Sequence, residues 1–146
     1  LSRDLLQRAL AVKIEIVQRD PHEQGERAKL NLGHTIGHGI EAASDFALRH
    51  GEAIAIGLLA ETRLAERSGL ASAGLSEQVE TQLLALGLPT GCPELPAERI
   101  RALMASDKKK RAGELTFALL TAIGAVEYGL TVEAELLEAV IAEAVA

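Results

Sequence analysis

The sequence has few aromatic residues: 2% of its 146 positions are Phe, Trp or Tyr, and Trp is absent. We therefore expect a core of Leu, Ile, Val and Ala, which is common in helical domains. Cys92 is the one cysteine, so no internal disulfide can form, and a reducing, cytoplasmic location is expected. No apolar run reaches the roughly 18 residues that cross a membrane, and the charged first residues do not resemble a signal peptide.

The chain also lacks a net positive charge. The formal net charge of −6 argues against nucleic acid or an anionic membrane as a partner. The length corresponds to one domain. The chain begins with Leu rather than Met, and we interpret it as part of a longer protein.

Hydrophobic periodicity predicts a mostly α-helical domain. The predicted helices cover residues 3–19, 28–44, 51–68, 76–86, 96–106 and 132–145. Ser76 is a candidate N-cap and Gly69 a candidate helix stop. The first half of helix 51–68 should be buried, whereas its second half, which alternates Glu and Arg, should face water. One short β-hairpin is predicted near residues 114–128, the only strand signal in the sequence.

Three of the four histidines lie at positions 34, 38 and 50. His34 and His38 are four residues apart, so on a helix they could chelate one transition metal. If the next helix folds back, His34 and His50 could instead bind the metal and leave His38 for acid–base chemistry. Buried, hydrogen-bonded core histidines are the third interpretation. Hydrophobic periodicity does not choose among these three interpretations. The candidates for a third metal ligand are Glu23, Glu41 and Glu52.

Two other features surround the histidines. Gly33, Gly37 and Gly39 fall within the predicted helix 28–44, where each costs up to about 1 kcal/mol relative to Ala. They predict close approach of another backbone, a metal or a ligand. In addition, Arg27 and Asn31 precede His34 by seven and three residues, on one face if the helix begins near residue 28.

Cations elsewhere could complete a pocket for a small anion. Lys13 and the run Lys108–Lys110 are the candidates, although Lys13 alone reads as a surface lysine and charge runs are usually solvated. Guanidinium suits bidentate carboxylate binding, and lysine suits phosphate.

The segment Asn31-Leu-Gly-His-Thr-Ile-Gly-His-Gly-Ile-Glu41, with His50-Gly-Glu-Ala-Ile-Ala-Ile-Gly57, closely resembles the signature of the 3-dehydroquinate synthase family. The segments Lys13–Val17 and Asp20–Arg27 upstream, and Met104–Lys109 and the hairpin downstream, are also similar. The resemblance implies that residues 1–146 form the C-terminal helical metal- and substrate-binding domain of that fold. It places an N-terminal NAD-binding α/β domain, and a third metal ligand, outside this chain.

The resemblance also implies roles for individual residues. His34 and His50 would bind a divalent metal, zinc or cobalt. His38 would act in proton relay, with Glu23 as its acidic partner. Substrate-binding roles fall on Lys13, Arg27, Asn31 and Lys108, with Lys109 the alternative to Lys108.

The implied reaction converts 3-deoxy-D-arabino-heptulosonate 7-phosphate into 3-dehydroquinate and phosphate, with NAD as cofactor, in the shikimate pathway. A homodimer is implied as well. The alternatives are another NAD- and metal-dependent sugar-phosphate cyclase, a metal-dependent alcohol dehydrogenase, or a non-catalytic remnant domain. Lys13, Arg27 and Asn31 favour a substrate that bears a carboxylate.

Overall fold

The computed structural model describes residues 2–22, 24–110 and 115–146, and for residues 107–110 it describes the backbone only. Six α-helices, one 3-10 helix and two strands follow each other along these residues. They are α1 (Arg3–Arg19), the 3-10 helix (Glu26–Asn31), α2 (His34–Ala43), α3 (His50–Arg67), α4 (Leu75–Ala85), α5 (Ala97–Lys110), β1 (Phe117–Ala122), β2 (Ala125–Leu130) and α6 (Ala134–Ala144). The prediction of a mostly helical domain with one hairpin is therefore confirmed.

Helix α3 is the centre of the packing. It contacts α2, α4, α6 and β1, and α2 also packs on α5. Ile56 and Leu64 of α3 are fully buried, as are Ile36 and Ile40 of α2. Because α3 is covered on several sides, its first half is largely buried, as the sequence predicts. The prediction that its second half faces water is wrong, since Thr62 and Leu64 are also buried.

The hairpin pairs β1 with β2 in antiparallel register, with Leu119 opposite Glu127. Four consecutive residues of β1, Phe117 to Leu120, are buried, whereas β2 is largely exposed. Strand β1 thus has both faces covered, on one side by α3, and this explains its continuous apolar run.

Three predicted boundaries need correction. The helix expected over 28–44 is interrupted: residues 26–31 form a 3-10 helix, Gly33 has φ +77°, and α2 begins at His34. Gly74, also left-handed, is the N-cap of α4, so the assignment of Ser76 as that cap is wrong. Helix α5 continues through the charged run to Lys110 instead of ending near residue 106.

The glycines of α2 and α3 let the two backbones approach each other. A Cβ on Gly57 would lie 2.2 Å from the carbonyl oxygen of Gly33 and 2.6 Å from the amide nitrogen of Gly37. Among the three interpretations of the glycine pattern, the structure supports close approach of another backbone for Gly33 and Gly37. This contact brings the start of α2 beside the middle of α3.

We expect Gly57→Ala to reduce the free energy of unfolding by about 3 kcal/mol, the upper end of what overpacking costs, because the backbone atoms that the new Cβ would strike cannot rotate away. Gly51→Ala, in the same helix, is the matched control, since a Cβ there meets nothing within 4 Å. The control should change stability by no more than about 1 kcal/mol. Chemical denaturation of both variants measures the difference, and equal stabilities would contradict the packing described here.

Helix α1 is exposed along most of its length. Ile16 is its one buried residue, whereas five large apolar side chains are exposed: Leu5, Leu6, Leu10, Val12 and Ile14. Among the described elements, α1 packs mainly on the 3-10 helix. None of the helices in the described part of the chain is both long and apolar enough to cross a membrane.

Candidate metal centre and the loop before it

The three histidines meet where α2 and α3 begin. His34 is the first residue of α2, His38 lies one turn later, and His50 is the first residue of α3. Their ring centroids are 5.2 Å apart for His34 and His38, 5.5 Å for His34 and His50, and 5.7 Å for His38 and His50. One ring nitrogen of each lies within 4.8 Å of those of the other two.

These distances suit a metal centre. Two nitrogen ligands of one tetrahedral zinc lie about 3.4 Å apart, given Zn–N bonds of about 2.05 Å. Small rotations of the rings therefore bring a pair of histidines onto one ion. His38 and His50 are exposed and His34 is half-buried, so the interpretation of these residues as buried core histidines is wrong.

Hydrogen bonds orient the rings of His34 and His50. Nδ1 of His34 lies 3.0 Å from the carbonyl oxygen of Leu32, and Nδ1 of His50 lies 3.2 Å from Oε2 of Glu41. The carbonyl oxygen of Leu32 can only accept, and so can the Glu41 carboxylate when it is ionised, so each Nδ1 carries a proton. In the neutral form of each imidazole, Nε2 then holds the lone pair that can bind a metal. A histidine that binds a metal through one ring nitrogen usually donates a hydrogen bond from the other ring nitrogen to a carbonyl or a carboxylate.

The candidates for a third ligand are placed elsewhere or are not described. Glu41 is engaged with His50, and Glu52 accepts a hydrogen bond from the backbone N–H of Arg49 at 2.9 Å in a capping box. Glu23 lies outside the described residues. The described part of the chain therefore offers these three histidines as its one compact group of metal-ligand type.

The predicted anion-binding residues lie on separate elements. Arg27 and Asn31 are in the 3-10 helix, and Lys13 is exposed on α1. Because Gly33 interrupts the predicted helix, the argument that Arg27 and Asn31 share a helical face with His34 is wrong. Lys108 belongs to α5, but its side chain lies outside the described residues, as does that of Lys109.

The loop that leads to Arg27 is held by Asp20, the residue that follows α1. The carboxylate of Asp20 accepts hydrogen bonds from the backbone N–H groups of Gln24, Gly25 and Arg27 at 2.8, 2.9 and 3.0 Å. The bonds from Arg27 and Gln24 hold the pKa of Asp20 below its usual value. An Asp followed by Pro at a helix end is a signal of such a side-chain-to-backbone turn.

Glu61 is the main residue that sequence reasoning missed. It was expected to face water in the second half of α3, but it is completely buried. Its carboxylate accepts the backbone N–H of Gly33 at 2.6 Å and that of Ile36 at 2.9 Å. Desolvation by burial raises the pKa of Glu61 to about 8, and the N–H groups of Ile36, Gly33 and Thr35 limit the rise because they favour the charged form.

Solved structures with this fold define the class of protein. They are NAD- and metal-containing cyclases: 2-epi-5-epi-valiolone synthase from Streptomyces hygroscopicus subsp. jinggangensis with NAD⁺ and Zn²⁺ bound, and 2-deoxy-scyllo-inosose synthase complexed with carbaglucose-6-phosphate, NAD⁺ and Co²⁺. The first has TM-score 0.80 and 27% identity, and its match covers 96% of this chain and 40% of that one. The second has TM-score 0.81 and 28% identity over 92% of this chain and 40% of that one.

Within that class the chain belongs to the 3-dehydroquinate synthase family. Residues 1–110 match the family model described as 3-dehydroquinate synthase C-terminal. The 3-dehydroquinate synthase of Lactiplantibacillus plantarum is 44% identical over 121 residues, which are 83% of this chain and 34% of that enzyme. That of Idiomarina loihiensis is 42% identical over 139 residues, 94% of this chain and 39% of that enzyme. The chain therefore spans a little over a third of the length of these relatives.

Proposed function

We propose that this chain is the metal- and substrate-binding domain of a 3-dehydroquinate synthase. The observation that carries the proposal is the convergence of His34, His38 and His50, with the Nδ1 atoms of His34 and His50 already hydrogen-bonded, in a chain of this family. The reaction of the whole protein would convert 3-deoxy-D-arabino-heptulosonate 7-phosphate into 3-dehydroquinate and phosphate. That carbon–oxygen lyase reaction is a step of the shikimate pathway and would take place in the cytoplasm.

His34 and His50 are the proposed ligands of a zinc or cobalt ion. Their donor set fits the group, because two neutral imidazoles with fixed Nδ1–H groups each present an Nε2 lone pair. When bound, the metal would polarise substrate oxygens as a Lewis acid, and NAD would transfer hydride. A third ligand and the NAD-binding residues would come from outside this chain.

His38 is proposed as the group that moves a proton to and from substrate. It lies one turn from His34 on the same face of α2, and it is exposed on the side that the metal ligands share. A histidine beside the metal but not bound to it keeps a nitrogen available for general acid–base chemistry near neutral pH. Glu23 is its proposed acidic partner.

The proposed substrate contacts are cationic or amide groups. Arg27 and Asn31 lie in the 3-10 helix just before α2, and the bonds of Asp20 fix the backbone at Arg27. Lys13 and Lys108 would add positive charge from α1 and α5. Guanidinium and ammonium groups suit the carboxylate and the phosphate of the heptulosonate phosphate.

The remainder of the protein would supply what this chain lacks. We propose that an α/β domain binds NAD and that α1 packs against the rest of the longer protein, because five large apolar side chains of α1 are exposed here. NAD⁺ bound in both structural relatives supports that cofactor. A homodimer is proposed for the full-length protein. Neither a nucleic acid nor a membrane is a proposed partner.

The test is product analysis with the full-length protein, NAD⁺ and Zn²⁺ or Co²⁺. We expect phosphate release and 3-dehydroquinate from the heptulosonate phosphate, and no product from sugar phosphates that lack a carboxylate. Cyclisation of the latter alone would identify a cyclase of the valiolone or inosose kind instead. Net reduction of free NAD⁺ would indicate a dehydrogenase. The chain by itself should bind metal weakly and give no turnover.

A further inference from the structure

We propose that Glu61 is a positioning residue for the metal centre, acting through the first turn of α2. The inference rests on the proposed function, because it needs His34 and His50 as metal ligands. Glu61 itself touches neither histidine through a hydrogen bond in this structure. Its partners are the backbone N–H groups on both sides of His34.

The first turn of α2 cannot be capped by its own N-cap residue. That residue is Gly33, which has no side chain and whose Cβ, if present, would lie 3.0 Å from both the carbonyl oxygen of Ile54 and the amide nitrogen of Leu58. The close backbone contact with α3 thus excludes Ser, Thr, Asp and Asn, the usual N-cap residues. The N–H groups of this turn still need acceptors, because a buried N–H without a partner is costly.

Glu61 supplies those acceptors from the neighbouring helix. Its two oxygens accept the N–H groups of Gly33 and Ile36, and the N–H of Thr35 also interacts with the carboxyl group. The backbone on both sides of His34 is therefore held by one fully buried side chain, that of Glu61. Its ring is fixed in turn by the bond from Nδ1 to the carbonyl of Leu32.

Glu61 also connects the two proposed ligands. It lies on α3, eleven residues after His50, which is close to three helical turns or about 16 Å along the axis. One rigid helix thus carries one ligand at its start and, further along, the carboxylate that fixes the backbone around the other. Metal sites need their ligands held within about 0.5 Å, so a residue that sets the offset between α2 and α3 should affect metal affinity.

A second carboxylate of α3 provides a matched control. Glu66 accepts the backbone N–H and the hydroxyl of Ser76 at 2.9 and 2.6 Å, at the first turn of α4. Desolvation would raise the pKa of Glu66, but the hydrogen bonds from Ser76, Leu75 and Gly74 together hold it below the usual value. Glu66 thus caps a helix from α3 as Glu61 does, but none of the proposed ligands lies on α4.

The experiment is a titration of the metal-free full-length protein with Co²⁺, followed by visible absorption, with Zn²⁺ displacement as a second measurement. We expect Glu61→Ala to lower the affinity roughly 10- to 100-fold, as loss of groups that orient metal ligands does, and to change the Co²⁺ spectrum. Glu61→Gln should recover most of the affinity, because its amide oxygen can still accept one of the N–H groups. Glu66→Ala should leave affinity and spectrum unchanged even if it lowers the melting temperature.

The outcomes separate this inference from the proposed function. If the wild-type full-length protein binds Co²⁺ through His34 and His50 while Glu61→Ala binds equally well, the positioning role is wrong and the proposed function stands. A wild-type full-length protein that binds neither ion contradicts both. If Glu61→Ala does not fold, hydrogen exchange of the wild type decides: Zn²⁺ should slow exchange of the Thr35 and Ile36 amides and not that of Ser76. Equal effects at both helix starts would overturn the inference.

Discussion

Replacing His34 or His50 by Ala is expected to lower the affinity for Zn²⁺ or Co²⁺ by at least about 100-fold, whereas His38→Ala should retain most of it. Structural zinc sites with four ligands bind with roughly 10–16 kcal/mol, so one ligand is worth about 3 kcal/mol. The expected difference follows from the proposed roles, with His34 and His50 as the ligands and His38 in proton transfer. The hydrogen bonds to Leu32 and Glu41 engage Nδ1 of the two proposed ligands, so that Nε2 is the atom that would bind the metal.

Isothermal titration of the full-length wild type and of the same three variants in the full-length protein measures this difference. His22→Ala is the matched control, because His22 is exposed and is not among the three grouped histidines. In the full-length protein, His38→Ala should bind metal and lose turnover. If His38→Ala loses metal as completely as His34→Ala does, the i, i+4 chelate or a three-histidine site replaces the present assignment.

The second large effect concerns the pH dependence of stability and comes from Glu61. Its pKa is raised from 4.5 to about 8 in the folded chain. Between those values the folded state holds a proton that the unfolded state has released, so the free energy of unfolding falls as pH rises. The 3.5-unit difference corresponds to a loss on the order of 5 kcal/mol across that window. Above about pH 8 the slope from this group should disappear.

Denaturation of the metal-free chain and of Glu61→Gln, from pH 5 to pH 9, isolates this contribution. The variant cannot ionise at this position, so the difference between the two curves cancels the other titrating groups. Glu66 does not interfere, because its pKa is lowered and the stability it contributes is lost only as pH falls through its folded value. Parallel curves for the two proteins would show that burial of Glu61 does not control its protonation.

Local sequence patterns predicted most of the helices because apolar spacing and turn residues act over short distances. Gly69, for example, lies just after α3 with φ +73°, as a helix stop should. The prediction of a continuous helix over residues 28–44 was wrong because of a contact with another part of the chain. Gly33 adopts a left-handed conformation where α3 packs against it, and a glycine in the sequence does not reveal which backbone it meets.

The sequence predicted the histidines of the candidate site but not the residues that hold them in place through hydrogen bonds. Three histidines within seventeen residues are visible in the sequence, and the structure brings them together. Glu61 was not visible, because on α3 it resembles one member of an exposed Glu–Arg pattern. Glu61 is buried where α3 packs against Gly33, and there it accepts an N–H from the first turn of α2. Both features are tertiary contacts, so the local sequence does not reveal them. The bond between Glu41 and His50 likewise requires α2 and α3 to be placed side by side.

A crystal structure of the full-length protein grown with Zn²⁺, with anomalous scattering recorded on both sides of the zinc edge, would identify the metal ligands directly. We predict one anomalous peak about 2.0–2.1 Å from Nε2 of His34 and from Nε2 of His50. His38 should lie near the ion without binding it. A zinc ion bound to His38, or a peak at any place away from these helices, would contradict the assignment of His34 and His50 as the ligands.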